Sequence, residues 1–268
     1  MNQEFLAVVN LINSQTGLVL TRNQVVNFKT SFENFLKEKN ITVDEAVKRL
    51  TESHEDFQQV LEILLIKESY FFRNTDHFRV LKDVIFPVFF DKFEFGGEKE
   101  IRILCVGCST GQEPLSILIS FLESVQGKVD FNIKIDAVDL SKHAILKAIK
   151  GEYTNLETRG LSPEHIENYF TKSGNNTLKV KNSLLDKITY YHKSIAEHPL
   201  IDNYYHVIFV RNILIYFDEV HSERAKQKLV KSLRNGGYLF LGESEIGWGL
   251  GTDIQPIKFN QSLVYRKR

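Results

Sequence analysis

The residues best placed to do chemistry stand around two turns. Ile101–Arg102–Ile103–Leu104–Cys105–Val106 is a short, β-rich apolar run. It meets Gly107–Cys108–Ser109–Thr110–Gly111 and passes through Gln112–Glu113–Pro114 into the apolar-periodic segment Leu115–Leu122. That order predicts a strand, a glycine turn and a helix start, with Gly107 and Gly111 where the backbone bends or is approached closely. A second run, Ile133–Val138, closes on Asp139. A carboxylate ending the second strand of a βαβ unit can accept from both hydroxyls of a ribose. The glycines do not follow G-x-G-x-x-G and there is no G-K-[ST] loop, which disfavours a dinucleotide or a nucleoside triphosphate. A cofactor with a ribose but no phosphates, such as S-adenosylmethionine, fits the pattern; a purely structural βαβ turn is the alternative.

Other reactive residues are bounded by their surroundings. Cys105 and Cys108 form a C-x-x-C, but Cys105 lies inside the predicted strand. Extended chain at ~3.3 Å per residue puts their Cα atoms about 10 Å apart, beyond the disulfide reach of ~7 Å. No further ligands stand at zinc spacing, so both read as packing thiols and no metal is expected. Tyr70–Phe71–Phe72 places three aromatics in a row, too many for one helix face, so the segment is expected to wedge between a helical bundle and a sheet. Arg73 closes that triplet and can project a permanent cation into a crevice; an interdomain salt bridge is the alternative. Arg211 and Asn212 follow the apolar run Val207–Val210, at a strand end where a switch-point crevice takes its ligand. There Arg211 could equally serve an internal ion pair, and Asn212 an Asx-turn. Trp248, among Gly247, Gly249 and Gly251, reads as a loop anchor rather than a ligand platform.

The elements that must hold these residues are legible from periodicity. Residues 1–66 read as helices: Phe5, Val8, Val9 and Ile12 up to Gly17, then a stripe from about Arg22 to Lys39, then two more with Thr42 and Ser53 as N-caps. Ser141 to Lys150 is a short helix after Asp139. Ser162–Pro163–Glu164 opens another, and Ser173–Gly174–Asn175–Asn176 turns a hairpin. Ile188–His192, Val207–Val210, Tyr238–Leu241 and Ser262–Arg266 read as strands, and Glu219 to Leu233 as a helix. The 268 residues leave room for one large α/β domain and a smaller companion. With 34 basic and 34 acidic residues, 43% hydrophobic and 25% charged, the chain gives no general electrostatic case for nucleic acid or membrane binding. No signal-peptide pattern, no membrane-length apolar run and only two cysteines make the cytoplasm the simplest compartment.

Several blocks taken together resemble the family of CheR chemotaxis receptor methyltransferases. They are Ser69–Tyr70–Phe71–Phe72–Arg73 with His77–Phe78, Gly107–Pro114, Val210–Arg211–Asn212–Ile213–Leu214–Ile215–Tyr216–Phe217, and Gly242–Glu243–Ser244–Glu245. Thr16–Gly17–Leu18–Val19–Leu20 extends the likeness into the helical part. The resemblance implies an α/β fold: a small N-terminal helical bundle (1–66), then a class I S-adenosylmethionine-dependent methyltransferase domain (67–268). That domain would have a Rossmann-like, seven-stranded, mostly parallel sheet and a small β-subdomain insert at about 151–187. It implies methyl transfer from S-adenosylmethionine to glutamate side chains on the cytoplasmic helices of chemoreceptors, leaving S-adenosylhomocysteine. A receptor tail peptide could dock at the insert.

Carried over residue by residue, the resemblance gives Asp139 the ribose and Glu113 the cofactor's charged end. Ser69 and Arg73 would reach the methionine moiety or the substrate carboxylate, with Gly107, Arg211 and Asn212 around the cofactor. Ser194 and Ile195 stand where the family often has Asn-Leu near the adenine. Arg73 and Tyr216 would orient the accepting carboxylate. The chemistry asks for no base, since a glutamate with pKa ~4.3 is already ionised at neutral pH.

One departure bears on the substrate. Family members present several arginines on the second helix to the acidic receptor, whereas the corresponding face here reads Thr30, Ser31, Asn34 and Phe35, with Glu33 beside them and Lys29 and Lys37 remaining. Recognition is therefore expected from the hairpin at Ser173–Leu178 and from apolar contacts near Phe35. Alternative readings are an S-adenosylmethionine-binding signalling module without methyl transfer, a methyltransferase for a different protein, and a small-molecule methyltransferase.

Overall fold

Polar residues at the starts of the N-terminal helices set their boundaries. In the computed structural model, which describes residues 3–65, 69–94, 99–125, 131–174, 176–247, 249–259 and 262–268, Thr21 and Thr42 each accept from the third helical N–H in full capping boxes. Ser53 caps the fourth helix with its hydroxyl alone, accepting from Asp56 N. The resulting helices are α1 (Gln3–Thr16), α2 (Arg22–Lys39), α3 (Val43–Glu52) and α4 (His54–Leu64). They enclose a core built on Phe5, Phe28, Phe32 and Leu61. Phe35 belongs to that core, stacked on Phe32 with ring centroids 6.0 Å apart, so it is not available to a partner as the sequence suggested.

Next come α5 (Thr75–Val80), a π-helical turn (Leu81–Ile85) and α6 (Phe86–Glu94), running on into one another. The sheet domain then alternates β1 (Glu100–Val106), α7 (Gln112–Ser124), β2 (Asn132–Asp139) and α8 (Lys142–Lys150). A small insert follows: β3 (Glu152–Thr154), α9 (Pro163–Tyr169), β4 (Phe170–Lys172), β5 (Thr177–Val180) and the helical turn α10 (Asn182–Leu185). The chain closes with β6 (Ile188–His192), β7 (Tyr205–Val210), α11 (Glu219–Ser232), β8 (Leu233–Leu241), β9 (Ile254–Phe259) and β10 (Ser262–Lys267).

The main sheet has seven strands in the order β6-β2-β1-β7-β8-β10-β9, and β10 runs antiparallel to both its neighbours. The other pairings are parallel. This is the class I methyltransferase arrangement, as expected. The register decides where chemistry can happen. Val106 is level with Val138 and Val210, and Val210 with Leu241. The next residues on these strands are Gly107, Asp139, Arg211 and Gly242, which therefore form one lip at the carboxyl edge, where the strand order reverses.

The insert sheet has the order β3-β5-β4. Phe71 is fully buried, edge-on to Tyr153 (5.1 Å) and Phe170 (5.4 Å), and Phe72 stacks on His165 (4.8 Å). Phe71 and Phe72 thus wedge between the insert and the sheet domain rather than between the bundle and the sheet, while Tyr70 lies under the Arg159 guanidinium and lines a cavity shared with bundle residues. The insert supplies the aromatic partners, whereas the bundle satisfies its core with its own phenylalanines.

The bundle meets the sheet domain through backbone. Leu18 bridges Phe217, Val19 N–H donates to Tyr216 O at 2.7 Å, and Asp218 N–H donates to Gly17 O at 2.8 Å. Gly17 has φ +75°, and a Cβ there would stand 2.3 Å from the His221 ring, so the Thr16–Leu20 turn has room only for glycine. Among the described residues no helix is long and apolar enough to cross a membrane. Lys67, Glu68, the hairpin residue Asn175 and Trp248 lie outside the described residues.

Candidate active site

A cavity of about 360 Å³ opens between the carboxyl lip of the sheet and the bundle. That is within the size range of small-molecule sites, ~300–1,000 Å³. Its sheet-side wall includes Gly107, Glu113, Asp139, Arg211 and Asn212. Ser194 and Ile195 line it beyond β6, Ser69 and Arg73 come from the segment before α5, and Tyr216 from the loop after β7. Every residue to which the family resemblance gave a cofactor or substrate role thus lines one space. The bundle adds Leu18, Val19, Leu20 and Leu64, a contribution not anticipated beyond the Thr16–Leu20 block.

The glycine turn is shaped by close approach. Gly107 has φ +72°, and a Cβ would lie 2.1 Å from Ile213 Cδ1; Gly111 has φ +94°, and its Cβ would meet Tyr153 Oη at 2.8 Å. The turn in turn orders the acid. Asp139 Oδ2 accepts from Ser109 N at 2.8 Å and Oδ1 from Ser141 N at 2.8 Å. Burial pushes the Asp139 carboxyl above the usual carboxylate range, opposed by those two N–H groups. Each oxygen keeps a lone pair for a further donor.

Arg211 and Glu113 act as one unit. Arg211 Nε and Nη2 both reach Glu113 Oε2, at 2.6 and 2.5 Å. Nη1 donates to Arg73 O at 2.7 Å and lies 3.4 Å from both Asn74 Oδ1 and His77 Nδ1. The guanidinium also sits over the rings of Phe78 and Phe209. Cys105 Sγ donates to the other Glu113 oxygen at 3.0 Å, and both cysteines are buried and free. Among the described residues no cluster of side chains could hold a metal ion.

Backbone strain gathers at the same place. Phe72 (φ +56°), Asn74 (+63°), Ser109 (+48°) and Asn212 (+59°) are left-handed without being glycine. Such conformations persist where surrounding contacts over-determine them. Phe72 and Asn74 flank Arg73, so the backbone that aims this cation is held on both sides.

Two residues with structural reach went unassigned in the sequence. Glu245, fully buried, accepts four backbone N–H groups at 2.8 Å: Asn212 and Gly242 on Oε2, Ile213 and Leu214 on Oε1. It thereby fixes the turn that carries Asn212 and leads to Tyr216. Its only sequence mark was its place in the Gly242–Glu245 block. Lys228 of α11 donates to the carbonyls of Ile195, Ala196 and His198 and pins the turn holding Ser194 and Ile195. An exposed-looking lysine on a polar helix gives no such signal.

Comparison with known proteins fits this geometry. The family model for the CheR methyltransferase SAM binding domain matches residues 67–259. The chain belongs to the CheR methyltransferase family. It is 27% identical over 273 residues to chemotaxis protein methyltransferase 1 of Pseudomonas aeruginosa, covering 100% of this chain and 98% of that one. It is 31% identical over 210 residues to the chemotaxis protein methyltransferase of Vibrio parahaemolyticus, covering 77% and 74%. The corresponding protein of Listeria innocua is 29% identical over 252 residues, covering 91% and 90%.

S-adenosylmethionine, the cofactor of CheR-family enzymes, suits the residues present. Asp139 faces the cavity with lone pairs to offer, and the Ser109 hydroxyl beside it is buried with no hydrogen-bond partner among the described residues. An orphaned hydroxyl beside a carboxylate is what a polar ligand would complete.

Two expectations follow for this CheR-family site. In Glu245→Gln the amide nitrogen would face two N–H donors. Unsatisfied buried donors cost ~1–3 kcal/mol each, so a loss of roughly 2–6 kcal/mol is expected in urea unfolding, and a native-like midpoint would show that the turn does not need the carboxylate. His77 is held neutral by burial and by the Arg211 guanidinium, its pKa pushed down to about 4. The unfolded chain takes up that proton near ~6.5, so the stability tied to neutral His77 is intact above that pH and declines as pH falls towards about 4. The stability advantage of the native protein over His77→Asn should therefore shrink between pH 7 and 4.5 in the same assay. A pH-independent difference would contradict it.

Proposed function

We propose that this chain methylates glutamate carboxylates on the cytoplasmic helices of a chemoreceptor, forming methyl esters. The observation that carries this reading is the character of the cavity. Its described lining includes the cations Arg73 and Lys193 and the hydroxyl of Tyr216, but no histidine and no thiol. Such a site suits an anionic acceptor that needs no proton removed.

S-adenosylmethionine supplies a methyl group already activated on a sulfonium. In this reading Asp139 accepts from the ribose hydroxyls, with the Ser109 and Ser141 amides holding it in place. Glu113, steadied by Arg211, faces the cofactor's charged end, with Gly107, Ser69 and Asn212 around it; Ser194 and Ile195 border the adenine. Arg73 and Tyr216 orient the incoming carboxylate. Arg73 must not grip it too strongly, because a tightly paired carboxylate is a poorer nucleophile. Catalysis then lies in alignment and exclusion of water, and holding two reactants in near-attack geometry can contribute up to ~7–11 kcal/mol.

Recognition differs from an arginine-led mode. The solvent face of α2 shows Thr30, Ser31, Glu33 and Asn34, and Lys29 is paired with Glu33 at 3.8 Å. With Phe35 buried, the remaining candidate is the insert, whose edge strand β4 can take a receptor tail peptide as an added strand.

Two measurements test this reading. Asp139→Ala should weaken S-adenosylmethionine binding at least about tenfold, ~1.4 kcal/mol, in isothermal calorimetry. Unchanged affinity in a folded variant would remove the ribose assignment. Label transferred from methyl-labelled cofactor to a receptor cytoplasmic domain should be released by mild alkali as methanol. A base-stable label would instead mean methylated nitrogen and exclude the carboxylate acceptor.

A further inference from the structure

The turn that carries Asp139 is held from outside the matched methyltransferase segment. Glu62, on α4 of the bundle, reaches across to the first turn of α8. Its Oε2 accepts from Ser141 Oγ at 2.7 Å and its Oε1 from His143 N at 3.0 Å. Ser141 is almost fully buried and has two further ties: its hydroxyl oxygen accepts from Ala144 N at 3.0 Å, and its own N–H donates to Asp139 Oδ1 at 2.8 Å. The chain of contacts is short and directional: the Glu62 carboxylate, then Ser141, then Oδ1 of Asp139, a residue that lines the cavity.

We propose that Glu62 is a positioning residue for the cofactor, acting through Ser141 on Asp139, so that the bundle takes part in binding S-adenosylmethionine. The inference rests on Asp139 as the ribose acid. Ser141 N–H can hold Oδ1 only while the α8 N-terminus keeps its place; Lys193 N–H on Asp139 O and the His192 ring at Leu140 O hold the strand end, whereas Glu62 holds the helix start. Glu62 satisfies two groups there, one orphan helix amide and one hydroxyl, and carries the charge favoured at a helix N-terminus. It also sets a second negative charge near Asp139, which helps hold the Asp139 carboxyl up. On charge alone, removing Glu62 would therefore favour ionised Asp139 and leave binding intact or improved. Positioning predicts the opposite, and the two effects are separable.

Calorimetry with S-adenosylmethionine on Glu62→Ala, Glu62→Gln, Asp139→Ala and the double variant separates them. Glu62→Ala should weaken binding on the order of fivefold, the size expected for a lost hydrogen-bonded support. Glu62→Gln should restore most of it, since the amide oxygen still accepts from His143 N and the amide nitrogen can donate to Ser141 Oγ. Adding Glu62→Ala to Asp139→Ala should cost nothing further. In the protein without cofactor, the Ser141 and His143 amides should exchange faster in Glu62→Ala and as in the native chain in Glu62→Gln.

Native affinity in folded Glu62→Ala, equal loss in both Glu62 variants, or additive loss in the double variant would each overturn the proposal. If Asp139→Ala leaves affinity unchanged, the ribose assignment falls and this inference with it. If Asp139→Ala weakens binding and Glu62→Ala does not, the inference alone falls. Should Glu62→Ala fail to fold, Ser141→Ala removes the same contact from the other side and should show the same loss, with unchanged affinity again decisive against it.

Discussion

The ion pair between Arg211 and Glu113 is the constraint on which the site depends. It joins the end of β7 to the first turn of α7, and through Arg73 O, Asn74 and His77 it ties in the segment leading to α5. A buried guanidinium is costly to desolvate, and only a near-complete shell of acceptors offsets that cost. Here the shell is a carboxylate, a backbone carbonyl, a side-chain oxygen and a neutral imidazole. Lysine could not replace it, because one ammonium cannot present a planar fork to Glu113 while also reaching Arg73 O. The pair is better understood as fixing geometry than as adding stability, since apolar side chains of similar volume often fill such places at no loss.

The remaining walls depend on the same tactic at smaller scale. A buried or half-buried polar side chain collects backbone amides or carbonyls from a neighbouring turn. Glu245 does this for the turn after β7, Lys228 for the turn after β6, and Asp139 for the glycine turn after β1. Each turn is irregular and cannot satisfy its own backbone, so it borrows a side chain from another element. A reaction that needs no proton transfer gains most from such rigidity, because alignment is the greater part of what the protein can supply.

What was legible in the sequence follows from this division. The α2 boundaries, the Thr42, Ser53 and Ser162 caps, and the β7 run were readable because their signals are local: a capping hydroxyl three residues from its partner, or apolar residues in an unbroken run. Gly107, Glu113 and Asp139 were readable because a βαβ unit compresses them into one short stretch. The helical run from Thr75 to Glu94 left less trace, since apolar side chains such as Phe78, Leu81, Phe86 and Phe90 are buried around much of its circumference and blur the period. β9 carries Pro256 and lies at a sheet edge, where a missing donor is tolerated but the strand pattern is broken. Glu62 left no mark, and Glu245 only its place in the Gly242–Glu245 block, because Ser141 and His143 for the one and Asn212, Ile213 and Leu214 for the other lie far along the chain.

The bundle shows why the molecule needs both parts. A class I sheet lip is open to solvent on the side away from its helices, and a sulfonium exposed to water has no enforced partner. Leu18, Val19, Leu20 and Leu64 cover that side with apolar surface, while the Val19–Tyr216 backbone bond fixes the cover to the loop that brings Tyr216 to the cavity. The joint is made of backbone bonds and a glycine that no other residue could replace without displacing His221. Covering the cavity and holding the loop beside it are thus one structural act. That accounts for the Thr16–Leu20 turn standing among the sequence blocks alongside residues of the sheet lip that line the same cavity.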